Sequence, residues 1–231
     1  MGSIRPAARR RVLLAGSLLL ASAFMACAPR PPRLVPPAGG VQAVEGYGSA
    51  SIAGAQASIK GKFGFVFRRP GLGRVEAVDP IGRTIFLIYF HDGRAWFVLP
   101  GRKVYAEDGA AEMMERFLGV ALDPDEAIGL LSGTWPAAAE AAEAGGWLVE
   151  RDAAGRLGRG ARGGASFTVR AYFPGDAVPR EIGVEGSGAS GRVKVLKLNF
   201  NPAPRDGIFD TGFLRAFAPK TWEEMRELLD R

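Results

Sequence analysis

The sequence predicts a mainly β, α+β domain built on an antiparallel sheet. Three observations lead there. Short segments with period-two alternation recur between residues 44 and 105, turn signals of the Pro-Gly and Asp-Gly type separate them, and a helical interlude precedes a second run of strands. Consecutive hairpins pair neighbouring strands antiparallel, whereas a parallel nucleotide-binding sheet needs crossovers. No G-x-G-x-x-G or P-loop context accompanies these strands.

Taken in order, Val44 to Lys60 is rich in Gly, Ala and Ser and alternates weakly, as one strand with a bulge would. Lys62 to Arg68 alternates clearly, with Phe63, Phe65 and Phe67 on one face and Gly64 and Val66 on the other. Pro70-Gly71-Leu72-Gly73 is a turn, Arg74 to Val78 a strand, and Asp79-Pro80-Ile81-Gly82 a second turn. Thr84 to Phe90 is apolar on both faces, which predicts a strand covered on both sides. Asp92-Gly93 is a type I′ hairpin signal leading into Ala95 to Leu99, and Lys103 to Tyr105 reads as a further short strand.

Two helices follow. Glu112 to Leu118 sets Met113 above Phe117 and Met114 above Leu118, and Gly119 ends it. Asp123 is an N-cap with Pro124 at the first helical position and Glu126 three residues on; Ala127, Ile128, Leu130 and Leu131 form an apolar face and Gly133 fits the C-terminal cap. Strands then resume at Trp147 to Glu150, Ala165 to Phe173, Arg180 to Glu185 and Arg192 to Phe200, with Asp152-Ala153-Ala154-Gly155 as a hairpin turn. In the last strand Val193 and Val195 share one phase while Leu196, Leu198 and Phe200 take the other, so a bulge or burial of both faces is expected. Thr221, with Glu224 three residues later, starts a terminal helix whose inner side is Met225, Leu228 and Leu229.

Composition limits the chemistry. The 231 residues include one cysteine and one histidine, so an intramolecular disulfide, a thiolate zinc site and an H-E-x-x-H metal helix are impossible within one chain. His91 falls beside the Asp92-Gly93 turn, where a solvated residue is the ordinary reading, and no G-x-S-x-G elbow or Ser/His/Asp order surrounds it. Asp123 and Asp125 fit helix capping better than paired acid–base work. Neither enzyme nor cofactor nor bound metal is expected.

The N-terminus carries its own signal. Arg5, Arg9, Arg10 and Arg11 precede an apolar stretch from Val12 to Ala26, too short for a spanning helix and ordered like a secretory leader. Phe24-Met25-Ala26-Cys27 resembles the lipobox of bacterial lipoproteins, which implies cleavage before Cys27 and lipidation of its thiol; Phe24 stands where that pattern usually has Leu. An ordinary cleaved leader and an uncleaved anchor are the other readings. Cleavage removes four arginines and no acid, lowering the formal charge from +6 by four to +2. The basic balance therefore belongs mostly to the leader, and no aromatic-interleaved basic stripe suggests nucleic acid. Proline-rich residues 28–40 cannot build sheet or helix interior and read as a tether. The expected organisation is a signal peptide over 1–26, lipidated cysteine and tether over 27–43, and one domain over 44–231.

The segment Asp79 to Pro136 resembles the bacterial outer-membrane lipoprotein receptor family, LolB, within the LolA/LolB-like carrier fold. The matching features are Asp79-Pro80-Ile81-Gly82, Leu118-Gly119-Val120, Pro124 and Leu131-Ser132-Gly133, in that order. The resemblance covers about a quarter of the chain well. The stretch around 145–165 departs from the pattern, as does the tail from Asn201, with Phe209, Phe213, Phe217 and its helix.

The resemblance implies a curved antiparallel half-open β-barrel, closed by helices over an apolar cavity. It further implies an outer-membrane, periplasm-facing lipoprotein that takes acylated lipoproteins or lipids from a soluble LolA-like periplasmic carrier. Phe63, Phe65, Phe67, Phe86, Ile88, Phe90, Trp96, Val98, Met113 and Phe117 are the candidate cavity lining, although ordinary core is the commoner role for each such residue and periodicity does not distinguish a filled core from a cavity wall. Ile81 takes the position of the apolar residue in the family's protruding, membrane-inserting loop; Leu72 is a second loop candidate. A non-enzymatic scaffolding lipoprotein of the envelope is the competing class.

Overall fold

Among the described residues the chain forms twelve strands in one sheet, two of which, over residues 157–162 and 218–219, have no counterpart in the alternation read from the sequence. The computed structural model describes residues 33–54, 59–135, 146–175, 177–186 and 188–229. The leader, Cys27 and the first part of the tether lie outside the described residues. In chain order the strands are β1 Ala43–Gly54, β2 Ile59–Arg68, β3 Leu72–Val78, β4 Thr84–His91, β5 Arg94–Leu99 and β6 Val104–Gly109. Helices α1 Ala110–Leu118 and α2 Pro124–Ser132 follow, then β7 Leu148–Arg151, β8 Leu157–Arg162, β9 Ala165–Tyr172, β10 Pro179–Gly186 and β11 Ala189–Phe200. A two-residue β12, Ala218–Pro219, leads into α3, Trp222–Leu229.

The spatial order is β12-β6-β5-β4-β3-β2-β1-β11-β10-β9-β8-β7. Hairpins set each strand beside its sequence neighbour, and β1 pairs with both β2 and β11, stitching the two runs together. All pairings are antiparallel except β12 with β6. The expectation of a curved half-open barrel is overturned: the sheet remains open, with β12 and β7 as its far edges, and it is not strongly curled. Joining the two runs at β1 leaves β12 and β7 as the terminal strands, and among the described residues no hydrogen-bonded pairing or strong curl brings these two edges together.

Local chemistry explains the individual elements. Asp92 and Gly93 have φ of 50° and 75°, the paired left-handed conformation of a type I′ turn, which is why Asp-Gly connects β4 to β5. Helix α2 opens on a full capping box: the Glu126 amide donates to Asp123 Oδ1 at 2.7 Å and the Asp123 amide to Glu126 Oε2 at 3.0 Å. The phase conflict in the last strand resolves as a bulge, with Tyr47 opposite Lys197 and Gly48 opposite Val195. The extra residue, Leu196, is exposed while Val193, Val195 and Leu198 stay buried.

The main core lies on one face of the sheet, beneath α1, α2 and α3. Strand β4 is covered on both sides, as its composition requires: Ile88 and Phe90 belong to the main core, Leu87 and Tyr89 to a second cluster on the opposite face. That second cluster is covered by the tail, through Leu214, Phe217 and Phe213, whose ring lies 5.4 Å from that of Tyr89. The tail then adds β12 to the β6 edge and delivers α3 to the front, where Met225 is fully buried and Trp222 meets Phe97 and Phe117. The tail is therefore a strap around one edge. Residues 33–231 form one compact unit whose core runs from Val41 to Met225. Residues 34–43 also pack on it: the Leu34 amide donates to the Pro174 carbonyl, and Val41 and Ala43 are buried.

Candidate functional site

The site is an apolar cavity of about 270 Å³ between the front of the sheet and helices α1 and α2, close to the lower end of the range for small-ligand pockets. Its floor is Ala50 of β1, the row Phe63, Phe65 and Phe67 of β2, Val75 and Ala77 of β3, and Phe86 and Ile88 of β4. Met114, Phe117 and Leu118 of α1 and Leu122, Ala127, Leu130 and Leu131 around α2 form the roof, and Ile182, Val184 and Val193 of β10 and β11 close one flank. Lys60, Gly61, Lys62, Val78 and Ile85 border it at the strand ends. Among the described residues the two lysines are the only titratable groups around it. The cavity is thus suited to binding by apolar burial.

The phenylalanine row is possible because β1 carries glycine beneath it. A Cβ at Gly46 would lie 2.4 Å from Cζ of Phe65 and 2.5 Å from the Lys197 carbonyl oxygen; at Gly48 it would lie 3.1 Å from Phe63. On the far side a Cβ at Gly73 would lie 2.7 Å from Phe67 and 2.9 Å from Phe90. The rings lean across these gaps, with centroids 5.9 Å apart from Phe63 to Phe65 and 6.0 Å from Phe65 to Phe67. The Gly-rich character of β1, a weakness for strand propensity, is what lets large rings lie against the backbone.

Helix α2 is held over the cavity at both sides. The Asp125 carboxylate accepts from the Gly71 amide at 3.0 Å and pairs with Arg69 at 3.5 Å, and Glu126 pairs with Arg162 of β8 at 2.7 Å. Asp125, expected from its place beside Asp123 to serve helix capping, anchors the β2–β3 turn instead.

Of the ten lining candidates, Phe63, Phe65, Phe67, Phe86, Ile88 and Phe117 border the cavity. Phe90 and Met113 are packed in the core and do not reach it. Trp96 and Val98 belong to the opposite face, because β5 turns Ala95, Phe97 and Leu99 toward the main core and period two sends its even positions to the back. The roof residues of α2 and the β10–β11 flank were missed as lining. The helical apolar face was legible, but the partner β11 finds in β1 is a long-range pairing without a local signal. Cys27 is outside the described residues. His91 sits half-exposed at the β4 end, 3.5 Å from Asp92.

The two loop candidates part company. Leu72 is half-buried and paired with Arg68 as the first residue of β3, so it is not displayed on a loop. Ile81 is 75% exposed, on a five-residue loop whose backbone is fully held. Asp79 Oδ1 accepts from the amides of Ile81 and Arg83, both at 2.9 Å, and Asp79 Oδ2 receives Arg83 Nε at 2.7 Å. The Arg83 guanidinium holds the Asp79 carboxyl below its ordinary 3.8. The loop 152–156 repeats this arrangement: Asp152 accepts from Ala154 and Arg156 amides at 2.9 and 3.0 Å and from Arg156 Nε at 2.7 Å. Asp-x-x-Gly-Arg is thus a self-sufficient hairpin loop, and its third position is free. Alanine fills it at 154; isoleucine stands in solvent at 81.

Among the described residues, no group of three or more His, Cys, Asp or Glu could hold a metal, and no helix is long and apolar enough to cross a membrane. No family model and no curated protein matches this chain. Solved structures similar to it include a LolA superfamily protein from Nitrosomonas europaea, at TM-score 0.49 over 85% of this chain and 98% of that one. A DUF1329 family protein from Desulfovibrio piger has TM-score 0.48 over 75% of this chain and 92% of that one. A domain from Vibrio parahaemolyticus described as an outer membrane lipoprotein-sorting protein has 0.47, with the same shares covered. Identity is 12% in each case, so the similarity is one of backbone path.

Proposed function

We propose that this protein is a non-catalytic envelope lipoprotein that binds acyl chains of lipoproteins or lipids and passes them to the outer membrane. The observation that carries this reading is the cavity: its walls are almost wholly aliphatic and aromatic, and only strand ends and two lysines border it. Such a space gains by removing hydrocarbon from water, roughly 25 cal/mol per Å² of apolar surface buried. The open cavity favours a carrier over a scaffold, which would need only a packed interior. In this reading residues 1–26 are removed, Cys27 is lipidated, and the chain to about residue 33 is the tether, since Leu34 already docks on the domain. Cargo arrives from a soluble carrier of LolA type.

The exposed Ile81 would enter the target membrane. Because the loop closes through Asp79, Gly82 and Arg83, the isoleucine is available for a partner rather than for folding. Ile81→Glu is therefore expected to leave thermal stability within about 0.5 kcal/mol, the usual range for surface changes, while delivery of a reporter lipoprotein to the outer membrane falls. Unchanged delivery would remove the insertion role. The binding reading itself is tested by native mass spectrometry of the leaderless chain: co-purified acyl lipid or lipopeptide is expected, and a domain that is empty and takes up no added lipopeptide would favour the scaffold.

A further inference from the structure

The face of the sheet away from the cavity carries a cation cluster that the acyl-binding site does not use. In β1, Ala50 and Ile52 point to the core, so Ser49 and Ser51 point to the back. Ser51 is paired on one side with Lys60 and on the other with Arg192; Ser49 is paired with Lys62 and Lys194. The four cations frame two serine hydroxyls. Strand geometry spaces Lys60 from Lys62, and Arg192 from Lys194, by about 7 Å, and the two pairs from one another by about 10 Å. Arg170 extends the cluster: a Cβ at Gly183, the residue beside Arg192, would lie 2.7 Å from Arg170 Nε.

One carboxylate answers these five charges. Glu181 pairs with Arg192 at 3.5 Å, and among the described residues no ion pair involves Lys60, Lys62 or Lys194. Apolar side chains accompany the cluster. The bulged Leu196 is 42% exposed, and the row Lys194–Ser49–Lys62–Val78 runs into the loop that displays Ile81, beside the half-exposed Ile85.

We propose that this cationic face docks on the surface of an anionic phospholipid bilayer. The match is one of charge and of layering: ammonium and guanidinium groups meet phosphates, and the scattered apolar side chains reach the acyl boundary beneath. An acidic protein would satisfy the cations but leave Ile81, Ile85 and Leu196 without a counterpart. The inference draws on the membrane-facing reading of the Ile81 loop only for orientation; the attraction resides in the cluster.

The test is vesicle co-sedimentation of the chain from Arg33 onward, whose core is complete within it, with phosphatidylcholine vesicles containing or lacking phosphatidylglycerol. Binding is expected only with phosphatidylglycerol and is expected to weaken as salt is raised. Each neutralised lysine should lower the partition about fivefold, so K60Q/K62Q/K194Q together should lower it about a hundredfold; a Lys-to-Arg triple at the same positions should retain it. Lipopeptide uptake in the absence of vesicles reports the cavity; K194Q alone, at a position outside the cavity border, is expected to leave uptake unchanged while lowering vesicle binding about fivefold, so failure of the docking and failure of the carrier reading are separable. Equal binding to both vesicle types, an undiminished glutamine triple, or no binding to phosphatidylglycerol vesicles at low salt would each overturn the proposal. The last result would point to an acidic protein instead.

Discussion

Gly46 shows how much one missing methyl group decides. The Phe65 ring occupies the space a side chain would take, and the Lys197 carbonyl blocks the other direction of escape. Gly46→Ala should therefore cost about 1–3 kcal/mol, the usual range for overpacking, and should displace Phe65 into the cavity. Denaturant unfolding reads the first effect and lipopeptide uptake the second. Asp79 works at the same scale through charge. Its pKa is lowered in the fold by the Arg83 guanidinium, so its contribution to loop order is present above the unfolded carboxylate value. That contribution is lost as pH falls through the lower folded value. The Ile81 and Gly82 amide resonances should hold their positions from neutral pH down to about pH 4 and shift only below it. Asp79→Asn should leave them insensitive to that descent.

At the scale of elements, α2 is the part whose loss would open the site. It contributes Ala127, Leu130 and Leu131 to the roof and is fixed by its own cap, by Asp125 to the β2–β3 turn and by Glu126 to β8. Removing the cap with Asp123→Ala should destabilise the protein by about 1 kcal/mol, measured by chemical denaturation. Hydrogen exchange of α2 amides should rise more than that of β1. The cap, the proline at the first turn and the closing glycine were all legible in the sequence, because helix ends are satisfied by residues three or four positions away. The type I′ turn at Asp92-Gly93 was legible for the same reason. The phase of β5 was not. Trp96 and Val98 form as regular an apolar pair as Phe97 and Leu99, and only the position of the helices makes one face the cavity side and the other the bed of the tail.

For the whole molecule, the tail from residue 201 is the element that couples the two faces. It covers the back of β4 and β5, extends the β6 edge, and returns to the front to place Met225 in the core beside α1. Met225→Ala should lower stability by about 2–5 kcal/mol, as for other fully buried side chains. Because α3 packs Trp222 on Phe117, a lining residue, the same variant should also weaken lipopeptide uptake, which a calorimetric titration would register.

Sequence alone determined most of the parts governed by near neighbours: the majority of strands by alternation, the turns by Gly and Asp, the helix caps and the two-sided burial of β4; it did not show β8 or β12, ran β1 on to Lys60, and left a bulge in β11 as one of two alternatives. It also supplied the ring row Phe63, Phe65 and Phe67 that became the cavity floor. Only the tertiary structure decided that β1 joins the two runs, that the sheet stays open where a half-open barrel was expected, and that β10 and β11 wall the cavity. It also brought Lys60, Lys62, Arg192 and Lys194 together around two serines. These are pairings between residues separated by well over a hundred positions in the chain. Backbone hydrogen bonds carry no residue-specific code, so such pairings are selected by the packing of the whole core and leave no local trace.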